Sequence, residues 1–151
     1  MRHVWIGDVD FAWALYVFLR NYERDFPEEP IPWPSQDDVN RAAGTIAAIN
    51  QPFFGKRLYR TLPEKLAALA YELCKQHFFL NGNKRIAYFF FIYAMVLNGV
   101  MIDINTFEER AALMESVAQS DPKDRANVLR DLADFIRKNL RPYTVPSRKG
   151  P

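Results

Sequence analysis

Cysteine is almost absent from this chain. Cys74 is the only one, so no intrachain disulfide can form and no cysteine-based metal site can be built. A lone thiol suits a reducing compartment, and a cytoplasmic location is expected. Histidine is nearly as scarce, with His3 and His77 alone, which confines imidazole acid–base chemistry to two positions. Long hydrophobic runs are missing as well. The longest uncharged apolar stretch, Ile86 to Leu97, has 12 residues, whereas a membrane helix needs about 20. That stretch reads as a buried core helix, and no membrane partner is expected. The first apolar stretch contains Asp8 and Asp10 and no small-residue cleavage pattern follows it, so no signal peptide is expected.

What is present suits one folded domain. Of 151 residues, 49% are hydrophobic and 25% charged, too apolar for intrinsic disorder. Aromatic residues reach 15%, including 12 Phe, enough for a substantial core. The net charge is only +2, but it is unevenly spread. Residues 1–40 hold eight acids and three bases, a net −5; residues 41–100 hold two acids and eight bases, a net +6. The middle of the chain is where an anion would be drawn.

The pattern is helical nearly throughout, and the expected class is all-α with about six helices and one short hairpin. Val9 to Tyr22 is amphipathic and rich in aromatics. Four prolines in eight residues, Pro27 to Pro34, forbid a helix there. Ser35-Gln-Asp-Asp38 reads as a capping box opening a helix to about Asn50. Gln51 to Arg60 holds Pro52, Phe53, Phe54, Gly55 and Lys56, and reads as a hairpin. Thr61-Leu-Pro-Glu64 caps a helix to about Gln76, and Asn83 or Lys84 opens the apolar helix that Asn98-Gly99 terminates. Thr106 and Asp121 cap two more, the last reaching about Asn139. The domain is expected over residues 1–140, with 141–151 a flexible tail.

One loop carries the chemistry: His77-Phe-Phe-Leu-Asn-Gly-Asn-Lys-Arg85. Gly82 allows backbone conformations other residues resist, so amides can turn inward. The helix that follows presents unpaired N–H groups and the positive end of its dipole, an arrangement that binds phosphate. Lys84 and Arg85 add two cations and Asn83 an amide donor, while His77 can accept a proton near neutral pH.

The order His77-x-Phe79-x-Asn81-Gly82-Asn83-Lys84-Arg85 resembles the signature of the Fic/Doc (Fido) family, and of its Doc (death on curing) branch in particular. The likeness extends over about residues 40–103. It implies the all-α Fic fold, with ATP as co-substrate bound by Asn81, Gly82, Asn83, Lys84 and Arg85. His77 would be the general base, Lys84 and Arg85 the catalytic cations, and Phe79 the anchor of the loop. The hairpin residues Pro52, Phe53, Phe54, Gly55 and Lys56 match the flap on which the target peptide docks. At Asn81 the family usually has Asp or Glu, so Mg²⁺ would be held weakly, mainly by the phosphates. Ile86 stands where Thr is common, a packing change. AMP-transferring Fic proteins have Gly at the position of Lys84 and a second Arg at that of Tyr88. The Doc branch therefore implies transfer of the γ-phosphate of ATP to a threonine of a translation factor such as elongation factor Tu, arresting translation. It also implies a small antitoxin that folds as an amphipathic helix in a groove of this domain. AMP transfer, or a catalytically degenerate Fido domain acting as a binding module, are the alternatives.

The remaining candidates read as structural. His3 has no partner nearby in sequence and is expected at the surface. Cys74, among Leu66, Leu69, Ala70 and Leu73, is expected to be a small core residue. Tyr88 to Tyr93 is expected to be core, with no stacking role. Arg137, Lys138, Arg141, Arg148 and Lys149 lack the aromatic interleaving of a nucleic-acid site, so nucleic acid is not an expected partner.

Overall fold

The helix starts written into the sequence form locally. Ser35 Oγ accepts from the Asp38 N–H at 3.2 Å, Thr61 Oγ1 from Glu64 at 3.3 Å, and Thr106 Oγ1 from Glu109 at 3.2 Å. Each bond satisfies a donor with no intrahelical partner. The computed structural model describes residues 3–104 and 106–144. Its order is α1 (Asp8–Asp25), α2 (Gln36–Ile49), β1 (Pro52–Phe53), β2 (Lys56–Arg57), α3 (Leu62–Lys75), α4 (Asn83–Leu97), β3 (Val100–Ile102), α5 (Phe107–Gln119), a 3₁₀ turn (Pro122–Asp124), α6 (Arg125–Asn139) and β4 (Leu140–Pro142). Six helices among the described residues agree with the all-α expectation.

Helix α3 is the axis of the fold. Leu66, Ala67, Ala68, Leu69 and Ala70 are fully buried, so the middle of this helix is covered all round rather than on one face. It packs against α2, α4, α5 and α6. Its alanines let those neighbours approach closely, while the bulk is supplied from α1 and α4, where the Phe11 and Phe90 rings stack at 4.4 Å. Cys74 is buried as expected, and burial pushes its thiol up to about 12, so it is inert. Among the described residues no helix is long and apolar enough to cross a membrane.

The hairpin at Gln51–Arg60 is confirmed as an antiparallel pair with register Pro52↔Arg57 and Phe53↔Lys56. Its two turn residues, Phe54 and Gly55, both have positive φ (49° and 76°), as a two-residue type I′ turn requires. The Phe54 side chain is 90% exposed at the tip; that of Phe53, also expected to dock a target, lies outside the described side chains.

Two expectations need correction. The tail does not begin at residue 141: β4 pairs with β3 in the register Val100↔Pro142, Met101↔Arg141 and Ile102↔Leu140. Pro142 ends this edge strand, a place where its missing N–H does no harm. Residues 145–151, with Arg148 and Lys149, lie outside the described residues. His3 is not a free surface residue either. Its Nδ1 lies 3.1 Å from Lys65 Nζ, which also donates to Asn50 Oδ1 at 2.8 Å. Lys65 is buried, and burial, then the Arg57 charge, holds its ammonium below the ordinary lysine value.

Candidate active site

The loop from His77 to Gly82 joins α3 to α4 and is held from within. Phe78 and Phe79 are both buried, which anchors the middle of the loop in the core as expected for Phe79. The Asn83 side chain then closes the loop on itself: Nδ2 donates to the Phe79 carbonyl at 2.8 Å, and Oδ1 accepts from the Phe79 N–H at 3.1 Å. The Asn83 side chain is thus a staple of the loop, with one of its two Nδ2 hydrogens used in the bond to Phe79. Asn81 Oδ1 accepts from the Gly82 N–H at 2.7 Å.

Gly82 is buried in the left-handed region (φ 79°, ψ 13°), directly before α4. A Cβ there would stand 2.9 Å from Ile31, which reaches over it from the proline-rich connector. The closeness of that contact, together with the positive φ, is why only glycine fits. The N–H groups of the first turn of α4 follow, and they have no intrahelical acceptor.

His77 is exposed and has φ 49°. A non-glycine residue there is uncommon, and such strain persists only where neighbours over-determine it. Here they do. On one side Gln76 is tied to Glu72, whose other oxygen accepts from Arg125 at 2.8 Å; on the other stand buried Phe78 and Phe79. The Glu72 pair and the Tyr59 hydroxyl raise the Arg125 guanidinium above its ordinary value.

Lys84 and Arg85 diverge from the first turn of α4. The Arg85 guanidinium lies over the Tyr22 ring at 5.0 Å and donates to the Tyr22 hydroxyl. Lys84 Nζ reaches across to Glu115 Oε2 on α5 at 2.5 Å. That hydrogen bond holds the Glu115 carboxyl below its ordinary value, so it is ionised at neutral pH and the pair is lost only as pH falls through that lowered value. Between the two cations a cavity of about 580 Å³ opens between α1, α4 and α5. Phe18, Tyr22, Tyr88, Phe89, Ile92 and Met114 form its apolar walls, and His77 does not line it. Tyr88, Phe89 and Ile92 are thus a groove wall, and not simply core as their sequence suggested. Tyr22, Ile31 and Glu115 were invisible as site residues in the sequence; the one available hint was that α4, unlike its neighbours, starts without an acid.

No cage for a divalent cation exists among the described residues, where no group of three His, Cys, Asp or Glu converges. Asn81 offers a neutral oxygen already accepting a backbone N–H. A neutral amide oxygen is a weak Mg²⁺ ligand, so most of the coordination would fall to the phosphates of a bound nucleotide.

One segment thus carries an exposed imidazole and, six residues on, a helix start with free N–H groups and two cations. The Fic/DOC family profile matches residues 16–95, and the chain belongs to that family. Its fold is the all-α Fic fold, and the family supports a nucleotide-dependent transferase acting on proteins. No curated protein matches the chain.

Proposed function

We propose that the chain is a Doc-type member, transferring the γ-phosphate of ATP to a threonine hydroxyl of a translation factor such as elongation factor Tu. The observation that carries this reading is the segment ending at the start of α4, which carries the exposed His77, the left-handed Gly82, the N–H groups of a helix first turn, and Lys84 and Arg85. His77 takes the proton of the target hydroxyl as its oxygen attacks the γ-phosphorus. The bond from that phosphorus to the bridging oxygen breaks, and ADP leaves. Lys84, Arg85 and the α4 amides offset the charge that builds on the phosphate oxygens. Lys84 where AMP-transferring members have Gly, and Tyr88 where they have Arg, favour γ-phosphate over AMP. Incubation with a cell extract and either γ- or α-labelled ATP tests this. Label from the γ position alone in a protein band supports the reading; label from the α position establishes AMP transfer instead.

The groove between α1, α4 and α5 has the apolar walls that an amphipathic antitoxin helix needs. Co-expression with a small neighbouring open reading frame should abolish growth arrest and raise the melting temperature. A chain that is harmless alone and gains no stability from that neighbour favours the inactive binding module, the reading that Asn81 supports.

Asn81→Asp keeps the acceptor for the Gly82 N–H and adds a charge. The Mg²⁺ concentration for half-maximal transfer is expected to fall, read by titration of Mg²⁺ at fixed ATP. An unchanged midpoint with lower activity would mean that the amide is a tuned feature of the site.

A further inference from the structure

On the reading of the α4 start as a nucleotide phosphate site, we infer that Glu115 is the resting counter-ion of Lys84, which an incoming phosphate must displace. Helices α2, α3 and α5 begin with acids, Asp37 and Asp38, Glu64, and Glu108 and Glu109, as the helix dipole favours. Helix α4, like α6, begins with no acid, and it carries Lys84 and Arg85 in its first turn. Two cations at the positive end of a dipole repel it and each other, and the structure treats them differently.

Arg85 is half-buried and makes its direct contacts with neutral groups, the Tyr22 ring, the Tyr22 hydroxyl and, at 3.5 Å, the Glu29 carbonyl; the Glu29 carboxylate is reached only through the Tyr22 hydroxyl, which donates to it at 3.4 Å. Those contacts fix its position and leave its charge available to an anion. Lys84 instead spends its charge on a carboxylate. Its side chain is 51% exposed and that of Glu115 44%, so the pair faces solvent and is weak and exchangeable. Glu115 is nonetheless aimed: Gln119, one turn on in α5, donates to its second oxygen at 2.7 Å. Both partners line the cavity that flanks the α4 start, so the pair lies next to the proposed phosphate position. A carboxylate brings one charge to Lys84 and a triphosphate brings several, so the nucleotide displaces Glu115, but at reduced affinity. Arg85 is then the preset cation of the site and Lys84 the exchangeable one.

Calorimetric titration of the full chain with ATP, with and without Mg²⁺, tests this on wild type, Glu115→Gln, Lys84→Met and the double variant. Glutamine keeps the shape and removes the charge, and both positions are exposed enough to leave folding intact. Glu115→Gln is expected to bind ATP roughly two- to five-fold more tightly, the range of an exposed ion pair. That gain should vanish when Lys84 is methionine, and shrink as salt rises. If Glu115→Gln binds no more tightly while Lys84→Met binds less, Lys84 meets the nucleotide but Glu115 does not compete, and the inference alone is overturned. A gain that survives in the Lys84→Met background is a general charge effect and overturns it too. If none of the four chains binds ATP, the phosphate-site reading fails and the inference with it.

Discussion

His77→Ala is expected to lower phosphate transfer by roughly 10²–10⁴-fold, the contribution of a positioned general base, while ATP binds as before. Cavity formation does not complicate the result, because the imidazole is exposed. The backbone offers a second check. At φ 49° a side chain is strained, so His77→Gly should be at least as stable as alanine and just as inactive. Labelled-phosphate transfer, calorimetric ATP affinity and thermal melting read the three quantities separately, and growth arrest on expression reads them together. Transfer by His77→Ala at the wild-type rate would remove His77 from the chemistry.

Gly82→Ala is expected to have the largest effect on the framework of the site. The new Cβ meets Ile31 Cδ1 and Cγ1 at 2.9 Å and Cγ2 at 3.0 Å, with φ at 79°. The left-handed conformation costs about 1 kcal/mol for a non-glycine residue. Overpacking against a buried side chain adds about 1–3 kcal/mol. At about 2–4 °C per kcal/mol for a chain of this size, the melting temperature should fall by on the order of 5–15 °C. ATP binding should weaken as well, because the first amides of α4 shift with Gly82. Ile31→Ala relieves the overlap but not the backbone strain. The double variant should therefore lose less stability than the two single losses combined. An alanine variant with wild-type melting and ATP affinity would show that Ile31 yields freely and that the tight contact has no consequence.

Much of the fold was legible because it is decided over short distances along the chain. The caps at Ser35, Thr61 and Thr106 each join a side chain to an N–H three residues on. Gly82 could be expected to take a conformation that other residues resist because it lacks a Cβ, and it sits at φ 79°. The aromatic helix before Asn98-Gly99 was equally plain, since twelve uncharged residues can only be buried. The loop-closing role of Asn83 was not legible for a related reason: an amide beside two cations looks like an anion donor, and only the closed loop reveals its bonds to the Phe79 N–H and carbonyl.

The reach of the sequence by itself was the class, the helix starts, the position of the loop and the residue types that make it an anion site. All of these follow from torsional preference, periodicity and hydrogen bonds within a few residues. The tertiary structure alone decided what those residues face. Arg85 rests on Tyr22, 63 positions away, and Lys84 pairs with Glu115, 31 positions away. Arg141 and Pro142, which read as the start of a tail, pair with Met101 and Val100 in a two-stranded sheet. Contacts of this kind depend on how α1 and α5 pack beside α4 and how the chain returns to β3. No local preference encodes that packing, because many distant acids and aromatics could satisfy the same cation and only the assembled core selects among them.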